Sequence, residues 1–193
     1  MNKHEHEPFD RRPWTADDLR QMVLSGIVAE SERIELIAGE IVAMSPKGIH
    51  HETLRIELVN YWAERKAELY KFADETPLRL DQHNEPEPDI VIFSASERLF
   101  QVKGKTVLLA VEVADSSLHF DLATKSSVYA LFGVREFWVI NARTYVTTVH
   151  TSPVEGEYSD VKEVQPGQLL TPTLCRELAV RLADLDLAVD DEA

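Results

Sequence analysis

Glu-Pro-Asp-Ile-Val-Ile, residues 87–92, and Val-Leu-Leu-Ala-Val-Glu-Val, residues 107–113, each contain a short apolar run with an acid at one end, Asp89 in the first and Glu112 in the second. Short runs of aliphatic and β-branched residues predict buried strands. An ionised carboxylate that leaves water needs a cation, a metal ion or hydrogen-bond donors. The acids of these stretches, Asp89 and Glu112, therefore predict a chemical site rather than a solvated surface.

A divalent metal ion is one partner that would explain both acids. If the two strands are neighbours, Asp89 and Glu112 can bind one hard cation, and the main-chain carbonyl of Val113 can add a third oxygen. A small number of oxygen ligands, with room left for water and phosphate, suits Mg²⁺ or Mn²⁺. The alternative is that Asp89 caps a turn and Glu112 belongs to an isolated salt bridge.

A lysine follows the Glu112 strand on a predicted helix. Asp121, Lys125 and Tyr129 are spaced four residues apart, so they lie on one face of a helix over residues 121–132. The first turns of that helix pack near the end of the preceding strand. Lys125 can then orient a water molecule or offset charge on a phosphorus centre. The alternative is a surface pair between Asp121 and Lys125, worth about 0.2–0.5 kcal/mol.

The rest of the chain predicts helices and strands in a mixed order. A hydroxyl cap and two acids start a helix at Thr15 that ends near Gly26, and a hairpin is predicted around residues 38–39. Apolar residues at helical spacing predict a second helix over residues 50–69. A strand, a helix and a strand over residues 107–140 require a parallel crossover. The predicted fold class is α/β (α+β mixed), with helices packed on a central sheet.

Composition is that of an ordinary globular chain. The 193 residues, 44% hydrophobic and 28% charged, fit one domain, predicted at residues 14–187 between a flexible polar tail (1–13) and an acidic tail (188–193). Cys175 is the only cysteine, so an internal disulfide is excluded. No apolar stretch is long enough to cross a bilayer, and the polar N-terminus lacks the apolar segment of a secretory signal. These features favour a cytoplasmic protein without a membrane partner.

The net charge of −14 weighs against a nucleic-acid partner. Proteins that bind nucleic acids usually present a basic surface that displaces counterions from the phosphates. A DNA substrate would need a local basic patch, metal ions or both to overcome the global repulsion.

The order of these motifs resembles a known nuclease superfamily. The chain resembles the PD-(D/E)XK, or restriction-endonuclease-like, nucleases, and more narrowly the Uma-two putative endonuclease family, over about residues 15–185. The motifs that support the resemblance are Pro88-Asp89, Glu112-Val113, the Asp121, Lys125 and Tyr129 series, Gly-Val-Arg-Glu-Phe-Trp-Val-Ile at 133–140, Glu-Leu-Ile-Ala-Gly-Glu at 35–40, and the region of His50.

This resemblance implies a restriction-endonuclease-like core with a mixed central β-sheet flanked by helices, an N-terminal helix and a β-hairpin. It implies a Mg²⁺- or Mn²⁺-dependent endonuclease acting on DNA, with a homodimer as the expected assembly. Asp89 and Glu112 become metal ligands together with Val113, and Lys125 becomes the catalytic lysine. Auxiliary candidates are Glu35, His50, Asp121 and Tyr129.

The chain departs from the general superfamily pattern at one position. In that pattern the lysine lies two residues after the second acid on the same strand, and here that position is Ala114. The resemblance implies that the lysine has moved to the helix. Two other functions stay open: a catalytically silent module that serves in oligomerisation or regulated binding, and a hydrolase acting on a small phosphorylated molecule.

Overall fold

The computed structural model describes residues 12–66 and 68–189, so most of the two predicted tails lies outside the described residues. Within the described residues the chain forms three helical segments and eight strands. The helices are α1 (Ala16–Leu24), α2 (Ile49–Lys66) and α3, whose α-helical parts Leu118–Phe120 and Ser126–Leu131 are joined by a π-helical part, Asp121–Lys125. The strands are β1 (Ile34–Ile37), β2 (Glu40–Ala43), β3 (Tyr70–Asp74), β4 (Ile90–Ser94), β5 (Leu109–Ala114), β6 (Glu136–Asn141), β7 (Thr147–Val154) and β8 (Glu157–Val164). Short 3₁₀ turns occupy Leu99–Gln101, Gly104–Thr106, Arg176–Leu178 and Leu182–Asp184.

The predicted N-terminal helix and hairpin are confirmed. Thr15 caps α1 through a reciprocal pair of hydrogen bonds: its Oγ1 accepts from the N–H of Asp18 at 3.1 Å, and its N–H donates to the Asp18 carboxylate at 3.0 Å. Strands β1 and β2 pair antiparallel around Ala38 and Gly39, whose φ angles are 52° and 76°. Two consecutive residues with positive φ form the kind of tight turn whose twist suits a two-residue hairpin.

The central sheet has six strands in the order β3-β4-β5-β6-β7-β8. All neighbours are antiparallel except β5 and β6, which are parallel and connected by α3. The predicted crossover is thus confirmed, and the sheet is mixed. In the β4–β5 register Ile90 lies opposite Val111, so Asp89 and Glu112 continue that register at the same end of the two strands.

Side chains alternate between the two faces of the sheet and bury a core on each. On one face, Leu54, Leu58 and Trp62 of α2 pack against β4, β5 and β6. On the other face, α3 and the hairpin cover the inward residues, and Tyr129 and Phe137 are fully buried there. Glu112 shares this second face with Ala110 and Ala114, because successive strand residues point to opposite sides.

Two predicted boundaries differ from the structure. The second helix, predicted over residues 50–69, ends at Lys66, and β3 follows it and ends at Asp74, before a loop that leads to Asp89. Leu78 and Leu80 donate their N–H groups to the carbonyls of Pro86 and Asn84, within the loop itself. The loop also contains three prolines, which cannot donate to a sheet ladder. The helix predicted to begin at Asp121 instead has its first turn at Leu118.

Within the described residues, no helix combines the length and the apolar character that crossing a membrane requires.

Candidate active site

A pocket of about 350 Å³ opens where Asp89 and Glu112 meet at the ends of β4 and β5. Its walls come from the β1–β2 hairpin, the loop before α2, and the segment that leads from β5 into α3. The lining residues with ionisable side chains are Glu35, Lys47, His51, Asp89, Glu112, Asp115, His119, Asp121 and Lys125. Most of the site residues predicted from the sequence therefore share one cavity.

Asp89 is surrounded by hydrogen-bond donors and positive charge. Its Oδ2 accepts from the main-chain N–H of Val113 at 2.8 Å, and its Oδ1 lies 2.9 Å from Lys47 Nζ and 3.1 Å from His51 Nε2. Burial raises the pKa of Asp89, but the contacts with His51 and Lys47 outweigh it and lower the pKa to about 2. Asp89 is therefore an ionised carboxylate at neutral pH.

Glu112 meets the helix residues that the four-residue spacing predicts to share a face. Its Oε1 lies 3.0 Å from Lys125 Nζ and accepts a hydrogen bond from the Tyr129 hydroxyl at 2.9 Å. Burial raises the pKa of Glu112 well above its ordinary value, and Lys125 opposes this rise. Tyr129 does not line the pocket itself, but supports Glu112 from the core.

Lys125 is a buried cation among three acids. Besides Glu112, its Nζ lies 3.2 Å from Glu35 Oε2 and 3.9 Å from Asp121 Oδ1. Burial lowers the pKa of Lys125, but the three carboxylates outweigh it and the net shift is upward. Glu35 also accepts the main-chain N–H of Glu87 at 3.2 Å, which ties the hairpin to the loop before β4. The lysine is thus charged and held from several sides.

The local geometry of α3 brings Lys125 and Asp121 inward together. Both residues belong to the π-helical part of the segment, and both are almost fully buried. A π-helical turn uses i→i+5 hydrogen bonds and changes the phase of the side chains that follow, and such turns are frequent at functional sites. The Ser117 hydroxyl at the start of the segment donates to Asp121 Oδ2 at 2.6 Å.

We predict that Asp121→Asn stabilises the metal-free protein in a pH-dependent way. Burial raises the pKa of Asp121 from 3.8 to about 6. A carboxyl whose folded-state pKa lies above its unfolded value costs stability when ionised, and that cost disappears as pH falls through the folded pKa. We expect the substitution to add about 2–3 kcal/mol to the free energy of unfolding at pH 7.5 and about half of that at pH 5.

Urea unfolding of both proteins in EDTA at these two pH values checks this prediction. Asp186→Asn, which changes an exposed acid of the C-terminal segment, serves as the matched control. A gain that is equal at pH 5 and pH 7.5 would contradict the assignment of a raised pKa to Asp121.

Two pocket residues were not predicted from the sequence: Lys47, and His51, whose neighbour His50 was the histidine candidate. Lys47 comes from the loop between the hairpin and α2, where no periodicity indicates the direction of a side chain. His51 contacts Asp89, whereas His50, the auxiliary candidate, is not among the residues that line the pocket. Consecutive helix residues point about 100° apart, so a small error in the predicted orientation of the helix selects the wrong one of two neighbouring residues.

Ala114, at the usual lysine position, is fully buried and supplies no charge. Lys125 Nζ instead reaches Glu112 from α3. The cation beside the second acid therefore comes from the helix that covers the strand, as the resemblance implies.

The donor set fits a divalent metal ion that has few protein ligands. Within residues 12–66 and 68–189, no three His, Cys, Asp or Glu side chains form a ready metal cluster. Asp89 and Glu112 nevertheless border the same cavity, and Val113 lies beside them. A carboxylate has about four acceptor sites, so the contacts of each acid leave capacity unused. Mg²⁺ commonly uses one or two carboxylates and takes its other ligands from water and phosphate.

Comparisons with known proteins agree on the kind of fold. A family model named Uma2 and described as a putative restriction endonuclease matches residues 16–187. Among solved structures, a putative nuclease of the DUF820 group from Anabaena variabilis ATCC 29413 matches with a TM-score of 0.69 and 16% identity, covering 89% of this chain and 97% of that one. No curated protein gives a significant match.

Proposed function

Because the chain belongs to the Uma2 family of putative restriction endonucleases, we propose that it is a Mg²⁺- or Mn²⁺-dependent endonuclease that hydrolyses phosphodiester bonds of DNA. The observation that supports this proposal best is the shared pocket of Asp89, Glu112 and Lys125, with Lys125 Nζ 3.0 Å from Glu112. Two acids at the ends of neighbouring strands can bind a metal ion, and a lysine beside them can stabilise negative charge, which is the chemistry of metal-assisted phosphoryl transfer.

In this proposal, Asp89, Glu112 and the carbonyl of Val113 would hold the metal ion, which would polarise the phosphate and lower the pKa of a water molecule. The N–H of Val113 fixes one oxygen of Asp89, and the Tyr129 hydroxyl fixes one oxygen of Glu112, so both carboxylates keep their orientation. Preorganised ligands need no rearrangement during the reaction.

In the same proposal, Lys125 acts on the water molecule that attacks phosphorus. Its ammonium group donates a hydrogen bond to the water that attacks phosphorus, and its charge offsets the negative charge that develops there. The new bond joins the water oxygen to phosphorus while that water releases a proton to solvent, the bond from phosphorus to the leaving oxygen breaks, and the leaving oxygen takes a proton from solvent. Glu35 and Asp121 keep the lysine charged and in place.

The second candidate function is a catalytically silent module that uses the nuclease fold for oligomerisation or regulated binding. Two observations favour it: Ala114 at the usual lysine position, and the net charge of −14, which repels DNA. A homodimer is compatible with both candidates, because two symmetric sites can cut the two strands of a duplex.

An assay of metal-dependent DNA cleavage tests this proposal. We expect purified protein to nick or linearise supercoiled plasmid, or to cut single-stranded DNA, in Mg²⁺ or Mn²⁺. Chelation with EDTA is expected to reduce the rate by at least about a thousandfold, since the reaction loses its charge stabilisation of several kcal/mol, and added Mn²⁺ is expected to restore it.

Other outcomes separate the alternatives. Cleavage that persists in EDTA would contradict the metal-dependent mechanism. Hydrolysis of a model diester without any cleavage of DNA would indicate a small-molecule substrate. Absence of every hydrolytic activity in either metal would favour the silent module.

A further inference from the structure

We propose that Lys47 is a phosphate-binding residue of this pocket, one that pairs with Asp89 in the absence of metal and contacts a substrate phosphate once a divalent ion occupies Asp89. This inference rests on the proposed function and names a residue that neither the sequence motifs nor the comparisons indicate. It starts from the position of the Lys47 side chain, which lines the pocket and is only 9% exposed.

Lys47 has two carboxylate partners with different positions. Its Nζ lies 2.9 Å from Asp89 Oδ1, inside the pocket, and it also contacts Glu75 Oε1, which does not line the pocket. An ammonium group has three N–H donors, so two carboxylates leave one donor for a further acceptor. Burial lowers the pKa of Lys47, but the two acids outweigh it and the net shift is upward, so the group is charged.

Glu75 is itself firmly placed. Its φ angle of 45° lies in the left-handed region that a non-glycine residue rarely adopts, and its N–H donates to the carbonyl of Asp89 at 3.1 Å. Arg33 and Arg55 lie 4.0 and 3.7 Å from the same carboxylate oxygen. Backbone strain that the surroundings maintain is typical of functional positions.

A bound divalent ion would change the balance at Lys47. The ion needs a carboxylate oxygen of Asp89 and repels the ammonium group that now contacts Oδ1. Lys47 then loses Asp89 but stays at the rim of the pocket, because Glu75 still holds it. The released N–H donors face the cavity on the Asp89 side, whereas Lys125 lies beside Glu112. A phosphate in the cavity would thus meet one lysine from each side.

This arrangement predicts opposite effects of one substitution on two ligands. We expect Lys47→Gln to tighten Mn²⁺ binding to the DNA-free protein about three- to tenfold, because no cation competes for Asp89. We expect the same variant to weaken binding of a short oligonucleotide in Ca²⁺ about tenfold, through loss of a charge-assisted hydrogen bond. Lys47→Arg is expected to keep both affinities close to those of the wild type.

Calorimetric titration with Mn²⁺ and fluorescence anisotropy with a labelled oligonucleotide measure the two effects, with thermal melting as the check on folding. Lys162→Gln, which removes an exposed lysine of β8, is the matched control and should change neither affinity. Glu75→Gln keeps the charge of Lys47 but removes its anchor, so it should weaken oligonucleotide binding without tightening Mn²⁺ binding. This second variant tests the inference even if Lys47→Gln folds poorly.

The inference is overturned if Lys47→Gln weakens Mn²⁺ binding or leaves both affinities unchanged, since a structural lysine would do either. A wild-type protein that binds no Mn²⁺ would overturn this inference and the proposed mechanism together. If Lys47→Gln shows both expected shifts but the wild-type protein never cuts DNA, the nuclease function alone is contradicted.

Discussion

Asp89→Asn is expected to reduce metal-dependent DNA cleavage by at least about a thousandfold, which corresponds to about 4 kcal/mol of transition-state stabilisation. The substitution keeps the size of the side chain and an oxygen that can accept the N–H of Val113. It removes the negative charge that the metal ion needs. Lys47 keeps its contact with Glu75, so this lysine still has a carboxylate partner when residue 89 is a neutral amide.

Two measurements separate this result from a folding defect. Mn²⁺ titration should show a loss of affinity of at least about tenfold, as expected when a charged ligand becomes neutral. Because the ionised Asp89 also stabilises the folded protein through His51 and Lys47, the melting temperature should fall, so cleavage is compared at a temperature at which thermal melting shows both proteins folded. Asp186→Asn provides the control, because it changes one exposed acid far along the chain from the pocket motifs. Cleavage by Asp89→Asn within threefold of the wild-type rate would point to a contaminating nuclease and remove the support for the site.

The sequence predicted that Asp89 and Glu112 would meet if their strands were neighbours, because strand geometry is regular. Each acid lies at one end of an apolar run, and antiparallel pairing of the two strands brings those ends side by side. Lys125 and Tyr129 were also predictable, since a four-residue spacing keeps side chains on one helix face. Both do contact the same oxygen of Glu112. These positions were predictable because side chains change direction in a regular way along strands and helices.

Residues outside regular structure could not be predicted in the same way. Lys47 lies between Pro46 and Gly48 in a loop, and its direction is set by Glu75 and Asp89, which are far away in sequence. The spacing did place Asp121 and Lys125 on one helix face, but the π-helical conformation of Asp121–Lys125 has no distinct sequence pattern. Such positions depend on tertiary contacts, which one sequence without a structure does not specify.

Lys125→Met is expected to have the other large effect, on stability as well as on cleavage. The methionine fills a similar volume but leaves Glu35, Glu112 and Asp121 close together without their common cation. Removing one partner of a buried ion pair typically costs about 3–5 kcal/mol. We expect a loss of this size in urea unfolding at pH 7.5, and cleavage below detection in protein that is still folded at low temperature.

A double variant separates the two roles of Lys125. Adding Glu35→Gln to Lys125→Met removes one of the three uncompensated acids, so it should recover about 1–2 kcal/mol of the lost stability, within the range of coupling between contacting residues. It should recover no cleavage, because no ammonium group returns to the pocket. The single variant Glu35→Gln, which keeps Lys125 beside Glu112, serves as the matched control and should retain more cleavage than either variant that lacks Lys125. If the double variant regains cleavage in proportion to its stability, Lys125 acts only by holding the fold together, and the attacking water must be oriented by another group.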